Sequence, residues 1–434
     1  MNLQGKKVLV AGMQSSGISA AYLLKREGAE VLCYDDDLKL NISEFICVHS
    51  LPEGYIPELV VVSPSIPLNH KLLAFCEENS VPVWSELELG ARFLACKKIM
   101  VTGTNGKTTC VTMIEKLLNF AGLRAKAMGN IGYPVSQVVL DGTELDWAVI
   151  EVSSFQLEHV SETKADVAVI LNLAPDHLDR YVSYTEYQEM KKRICANQTP
   201  ADYLIFNNED GAARSFVKNT PAKRIPVSTR SRMSEVYVKD NFYMFDDVGI
   251  CHVKESKLRG EHNKFNFLVA LNVGAIAGVK KEAMGKLIKE YSLLPNRIEY
   301  VTTINGKNYY NDSKGTNIHA CRFAIESLEG TVGLIMGGSD KKEDFCDFFE
   351  NLDEKVKSVA ITGANAEKIY NSALKMGYPD AKILPTLADC VQVLSEKEGI
   401  DNVLLSPCCA SFDRYKSYAE RGEKFKQLVY AIKA

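Results

Sequence analysis

The stretch Ile99-Met100-Val101, followed by Gly103-Thr104-Asn105-Gly106-Lys107-Thr108-Thr109 and then the helical pattern from Val111 to Phe120, decides the fold of the middle of this chain. A short apolar run reads as a buried strand, and the glycines after it as a turn. Strand, glycine loop and helix in that order make a phosphate cradle. Glycines let backbone N–H groups close on phosphate oxygens, and the helix N-terminus adds partial positive charge. In such a loop Lys107 reaches the β- and γ-phosphates of a nucleotide and the Thr108 hydroxyl holds Mg2+. The first glycine of the general G-x-x-x-x-G-K pattern would fall on Val101, so this loop is a variant of it. A glycine turn before a capped helix would use the same letters; the ordered strand, Gly-Lys-Thr and helix favour phosphate.

Outward from this loop the pattern repeats. Towards the N-terminus, strand-like runs at Lys7–Val10, Glu30–Tyr34 and Leu59–Val62 alternate with helical segments and close near Leu94. Beyond the loop, Trp147–Ile150 and Val167–Leu171 read as further strands, and residues 202–257 alternate in a way that predicts some antiparallel hairpin. From Pro295 onward, Leu334–Met336, Val359–Ile361 and Val403–Leu405 each end in small or polar residues. Strands alternating with helices predict parallel βαβ units. The expected fold is α/β in three domains: Rossmann-like over 1–95, P-loop ATPase-like over 96–294 with a small antiparallel portion, and Rossmann-like over 295–434. Ligands in such open sheets gather at the carboxyl ends of strands.

Composition narrows the partners. The chain has 434 residues, 46% hydrophobic and 24% charged, with a formal net charge of -4 and no polybasic run. That argues against nucleic acid or anionic membrane as the main partner, and neither is expected. No apolar stretch approaches the ~20 residues of a spanning helix. Met1 to Lys7 lead into a strand without the apolar region of a signal peptide, so the expected location is cytoplasmic. The 12 cysteines are scattered, suit reduced thiols, and show no zinc-site spacing.

Three further features carry chemistry. Glu151 follows the strand Trp147–Ile150, where a carboxylate beside a phosphate loop is placed for Mg2+. Asp176-His177-Leu178-Asp179-Arg180 follows another strand end; a histidine there, among acids and an arginine, suits either a structural or a catalytic role. Gly12-Met13-Gln14-Ser15-Ser16-Gly17 has the outer spacing of G-x-G-x-x-G, but Gln14 replaces the glycine that lets a dinucleotide pyrophosphate approach.

Together these motifs resemble the Mur ligase family of peptidoglycan synthesis. The resemblance rests on the phosphate loop, Gly129-Asn130-Ile131-Gly132, Glu151-Val152-Ser153-Ser154-Phe155-Gln156-Leu157 and Asp176–Arg180. It continues through His262–Asn266, Pro295-Asn296-Arg297 and Asn311–Asn317. Leu405-Ser406-Pro407-Cys408-Cys409-Ala410-Ser411-Phe412-Asp413, with Tyr418 and Arg421-Gly422 behind it, is similar to the branch that adds D-glutamate. The resemblance implies ATP-driven conversion of the carboxylate of UDP-N-acetylmuramoyl-L-alanine to an acyl phosphate, which the amine of D-glutamate then attacks. It implies two Mg2+ ions, one on Thr108 and Glu151 and one on His177. It also implies a carbamylated lysine at Lys191, with the adjacent Lys192 leaving the register open by one. Asn263 and Asn266, three apart on a helix, resemble the family's adenine contacts; an N-cap with a polar neighbour would have the same spacing. Arg297 and Asp312 resemble further nucleotide residues, and Ser15, Ser16 and Asp35 the uridine diphosphate site. Asn130 resembles a muramoyl contact. Lys314, Thr316, Lys341, Ser411 and Tyr418 match positions around D-glutamate, although Lys341 beside another lysine suits surface charge equally. A monomer is expected. The competing readings are folylpolyglutamate synthetase, which lacks a uridine-type first unit, a regulatory P-loop ATPase, and an NAD-dependent oxidoreductase resting on the first unit alone.

Overall fold

The computed structural model describes residues 2–36, 42–176, 180–258, 260–292, 295–339 and 344–432. Five parallel strands form the first sheet: β1 (Lys7–Ala11), β2 (Glu30–Tyr34), β3 (Ile46–Val48), β4 (Leu59–Val62) and β5 (Val83–Ser85). Their order is β3-β2-β1-β4-β5, with β2 and β4 paired to either side of β1. The order reverses at β1, and the crevice beside it opens at the strand carboxyl ends. Val8, Val10, Leu59 and Val61 face one core while Leu9, Val60 and Val62 face another, as a sheet covered on both faces requires.

The second sheet contains β6 (Lys97–Thr102), β7 (Ala125–Gly129), β8 (Trp147–Glu151), β9 (Val167–Ile170), β10 (Tyr203–Asn207) and β11 (Lys223–Val227), in the order β11-β10-β9-β6-β8-β7. The phosphate-loop strand β6 is therefore central, flanked by β9 and β8. The expected antiparallel portion is β12 (Val236–Lys239), β13 (Phe242–Phe245) and β14 (Val248–His252), where Asp240-Asn241 and Asp246-Asp247 turn with positive φ. Asx residues tolerate that conformation.

The third large sheet holds β15 (Glu299–Ile304), β16 (Lys307–Asn311), β17 (Val332–Met336), β18 (Val356–Ile361), β19 (Ala381–Ile383) and β20 (Asn402–Leu405). Its order is β15-β16-β20-β17-β18-β19, parallel except for β15 against β16. The described chain divides into two compact units, residues 1–255 with 265–290, and residues 256–264 with 291–434. The first unit takes in both of the first two sheets. The helix Val135–Leu140, which follows β7, packs against the helices Ser15–Arg26 and Glu86–Phe93 of the first sheet. Among the described residues no helix is long and apolar enough to cross a membrane. The 12 cysteines carry free thiols.

Candidate active site

The loop after β6 ends at Gly106, whose φ of +83° starts the helix Lys107–Phe120 from a left-handed residue. The helix therefore begins four residues earlier than the apolar pattern from Val111 suggests. A side chain at Gly106 would be strained by that φ and would lie 3.1 Å from the amide oxygen of Asn266. Lys107 Nζ donates to the carbonyls of Gly103 and Thr104, both at 2.9 Å, which keeps its charge over the loop. Thr108 Oγ1 donates to Glu151 Oε2 at 2.6 Å, and Asn130 Nδ2 donates to Oε1 of the same carboxylate at 2.9 Å. The tip of β8 thus holds a buried carboxylate between the loop's threonine and the turn after β7. Thr109 is buried on the next helical position.

Lys191 lies in the helix Tyr184–Lys192 and is buried. Its Nζ donates to Gly103 O at 3.0 Å and lies 4.8 Å from the Tyr187 ring centroid. Burial, and secondarily the Lys107 charge, push its pKa well below the ordinary lysine value, opposed by Asp176 and Glu151. Lys192 instead faces solvent and pairs with Glu189. The register left open by sequence separates here: one lysine enters the loop and its neighbour leaves it. The oxygen donors Thr108 and Glu151 are of the hard type that Mg2+ prefers.

The same loop is held from β9. Asn172, just past that strand, accepts from Asn105 N–H (2.8 Å) and donates to Asn105 O (3.0 Å). Thr104 N–H donates to Asn172 O at 2.8 Å, and Thr104 Oγ1 bonds Ala174 O and lies 3.1 Å from the Tyr187 hydroxyl. Sequence reasoning missed Asn172, although an asparagine at a strand exit beside a phosphate loop is a visible signal. His177 lies outside the described residues. Arg180, from the same motif, clamps buried Glu158 through Nε (2.9 Å) and a second nitrogen (2.5 Å). It also donates to the carbonyls of Pro64 and Ile66, beyond β4. Tyr181 adds a third donor to Glu158 at 2.6 Å.

Asn263 and Asn266 are both buried on the helix Glu261–Ile276. Asn263 is the third residue of that helix rather than its N-cap, which removes the capping alternative. At the first sheet, Asp35 Oδ2 accepts from Met13 N–H at 2.7 Å, fixing the turn before the helix Ser15–Arg26. Ser15 is exposed and Ser16 half-buried at that helix start, and the N-cap Gln14 makes no side-chain capping bond.

In the second unit, Asp312 is buried and accepts from Ser406 Oγ at 2.7 Å and from Ile298 N–H at 3.3 Å. Burial raises its carboxyl to about 7, against the pull of Ser406 and Arg297. Lys314 places Nζ 5.2 Å from the Tyr418 ring, and Tyr418 opens the helix Tyr418–Tyr430. Ser411 is buried, and its carbonyl accepts from Arg414 and Tyr415. Thr316 is half-buried two residues beyond Lys314. Lys341 lies outside the described residues. Buried Arg421 binds Ser313 O (2.9 Å), Cys409 O (3.0 Å) and Ser313 Oγ (2.9 Å). It thereby ties the exits of β16 and β20, a role its place in the Arg-Gly sequence does not disclose.

A lysine-threonine loop at the centre of a parallel sheet, with a carboxylate at the adjacent strand tip, defines a nucleotide-phosphate-binding α/β protein. Residues 101–274 match the family described as Mur ligase middle domain, and residues 296–409 match Mur ligase, glutamate ligase domain. A protein of Thermoanaerobacter sp. (strain X514), named UDP-N-acetylmuramoylalanine--D-glutamate ligase, is 36% identical over 456 residues, covering 100% of both chains. One of the same name from Acidobacterium capsulatum is 37% identical, covering 99% of this chain and 97% of its own. This chain belongs to the Mur ligase family. Among solved structures, MurF from Acinetobacter baumannii aligns with TM-score 0.63 at 15% identity over 98% of this chain and 91% of its own. UDP-N-acetylmuramate-alanine ligase MurC from Thermotoga maritima aligns with TM-score 0.62 at 16% identity over 99% and 100%. These likenesses show a shared fold.

Proposed function

We infer that this chain is an ATP-dependent ligase that joins D-glutamate to UDP-N-acetylmuramoyl-L-alanine in the cytoplasmic assembly of peptidoglycan precursors. The observation that carries the reading is the meeting of Lys107, the Thr108–Glu151 pair and buried Lys191 at one phosphate loop. Full-length similarity to proteins named for the D-glutamate ligase supports the choice of substrates.

A carboxylate is a poor electrophile. An oxygen of the alanyl carboxylate attacks the γ-phosphorus of ATP, ADP leaves, and the resulting acyl phosphate is attacked by the neutral amine of D-glutamate. Phosphate leaves as the amide forms, and the amine's proton passes to solvent. Both steps gather negative charge, which the chain meets with fixed cations and N–H donors. Lys107 and the start of its helix neutralise the nucleotide phosphates. Thr108 and Glu151 would hold one Mg2+, and His177 with Lys191 a second; bound there, the ions supply charge neutralisation at the transferred phosphoryl group. Burial favours Lys191 as the neutral amine, the form that adds to CO2 with loss of a proton to give a carbamate. Asn263, Asn266, Arg297 and Asp312 are assigned to the nucleotide. Ser15, Ser16, Asp35 and Asn130 are assigned to the UDP-sugar, and Lys314, Thr316, Lys341, Ser411 and Tyr418 to D-glutamate. The corresponding domains are 1–95, 96–294 and 295–434, in a monomer.

The test is phosphate release from ATP with UDP-N-acetylmuramoyl-L-alanine, offering D-glutamate, L-glutamate, L-alanine, L-lysine and meso-diaminopimelate in turn. Release dependent on D-glutamate is expected. Release with another amino acid overturns the substrate, and release with none overturns ligation.

A further inference from the structure

Nothing in the loop sequence itself explains why residues 104 and 105 hold their shape. Neither is glycine, yet both lie in a tight turn pressed against β9. A side chain at Gly103 would meet Leu171 Cβ at 3.0 Å and Asn172 N at 3.3 Å. The carboxamide of Asn172 makes a reciprocal pair with the backbone of Asn105, accepting its N–H at 2.8 Å and donating to its carbonyl at 3.0 Å. The carbonyl of Asn172 accepts Thr104 N–H at 2.8 Å. Two consecutive loop N–H groups are thus committed to one residue of the neighbouring strand exit.

We propose that Asn172 is a positioning residue for the nucleotide, setting the loop in its phosphate-accepting shape before ATP arrives. This rests on the reading that the loop holds ATP phosphates. The committed N–H groups of Thr104 and Asn105 leave the phosphate to the helix start beyond Gly106, where the dipole is concentrated. Fixing the loop in advance removes an ordering cost from binding.

The chemistry requires a carboxamide. A carboxylate at the same place would still accept from Asn105 N–H, but its second oxygen would face the Asn105 carbonyl, lone pair against lone pair. It would also put negative charge beside the phosphates. A protonated carboxyl, by contrast, carries the donor and acceptor pattern of the carboxamide. Asn172→Asp should therefore behave as a pH-dependent restoration of the native contact, which a variant of similar size without polar atoms, Asn172→Leu, cannot mimic.

The experiment is calorimetric titration of the full chain with ADP and Mg2+ at pH 7.5 and pH 5.5, for the native protein, Asn172→Leu and Asn172→Asp. Both variants are expected to bind about tenfold or more weakly at pH 7.5 relative to the native protein: Asn172→Leu loses both side-chain hydrogen bonds, and Asn172→Asp loses the one to Asn105 O and gains repulsion there. At pH 5.5 the affinity of Asn172→Asp relative to the native protein is expected to rise, while Asn172→Leu stays equally weak. The KM values for the other two substrates should change less than twofold. Native-like binding by both variants, or no recovery of Asn172→Asp at pH 5.5, overturns the proposal. Should Asn172→Leu fail to fold, the ratio of Asn172→Asp to native affinity at the two pH values decides alone. Failure of the native protein to bind ADP would instead overturn the reading of the loop on which the proposal stands.

Discussion

Two turns in this molecule are built alike and braced differently. Each joins a central parallel strand to a helix: Gly12–Gly17 after β1, and Gly103–Thr109 after β6. Each has a loop N–H held by a side chain from the exit of an adjacent strand. In the first turn the brace is the carboxylate of Asp35, accepting from Met13. In the second it is the neutral carboxamide of Asn172. An anionic brace repels phosphate and attracts hydroxyl donors, whereas a neutral one leaves the field of the helix start intact. The first turn accordingly matches the role proposed for it at the uridine diphosphate end of the substrate, with Ser15 and Ser16 at the helix start. The second suits phosphate at the loop itself.

The largest expected effect separates the turns at once. Lys107→Ala should lower kcat by about 10^3-fold or more, since it removes the only lysine carried by either turn. Steady-state phosphate release measures this, and a drop of less than tenfold would dissolve the contrast. Lys191→Ala should cost about 10^2-fold, with partial recovery on adding short carboxylic acids, while Lys192→Ala keeps near-native activity. Equal losses for the two lysines would contradict the buried and half-buried positions that distinguish them. Asp35→Asn should raise KM for UDP-N-acetylmuramoyl-L-alanine about tenfold and leave KM for ATP within twofold; an ATP effect would show that the first turn is not specific to the sugar nucleotide.

The smallest effect should fall on neither turn. Glu86 accepts from Ser136 N–H at 2.6 Å between the helix Glu86–Phe93 and the helix Val135–Leu140, and burial lifts its carboxyl to about 7. A carboxyl raised from about 4.5 favours the folded state fully below pH 4.5 and loses that contribution as pH climbs through 7. Glu86→Gln, neutral at all pH values, should therefore gain stability over the native chain above pH 7 by up to about 3 kcal/mol, and nothing near pH 4. Denaturant midpoints at the two pH values measure it, and unchanged KM values are expected alongside.

Sequence disclosed what is consecutive. The glycine loop, the strand runs and some antiparallel hairpin within residues 202–257 are local and legible in the chain, although the turns at Asp240-Asn241 and Asp246-Asp247 do not stand out there. It did not disclose which of Lys191 and Lys192 enters the loop, because a rotation of ~100° per residue at a helix end decides that. Nor did it disclose Asn172 with Asn105, Arg180 with Glu158 or Arg421 with Cys409, where the partner lies on another strand exit or helix. The start of the helix at Lys107 escaped the apolar pattern because the first turn, Lys-Thr-Thr-Cys, is chosen for its N–H groups and hydroxyls.

Arg180 carries a consequence for how the molecule comes apart. Its guanidinium stands between the carbonyls beyond β4 and the carboxylate of Glu158, so neither the first sheet nor the second can open there without stranding a buried charge. The two sheets are welded into a single cooperative block, with the Gly12–Gly17 turn and the phosphate loop in it. Heat or denaturant would abolish both turns in one transition, leaving no partly melted species that keeps one of them and has lost the other.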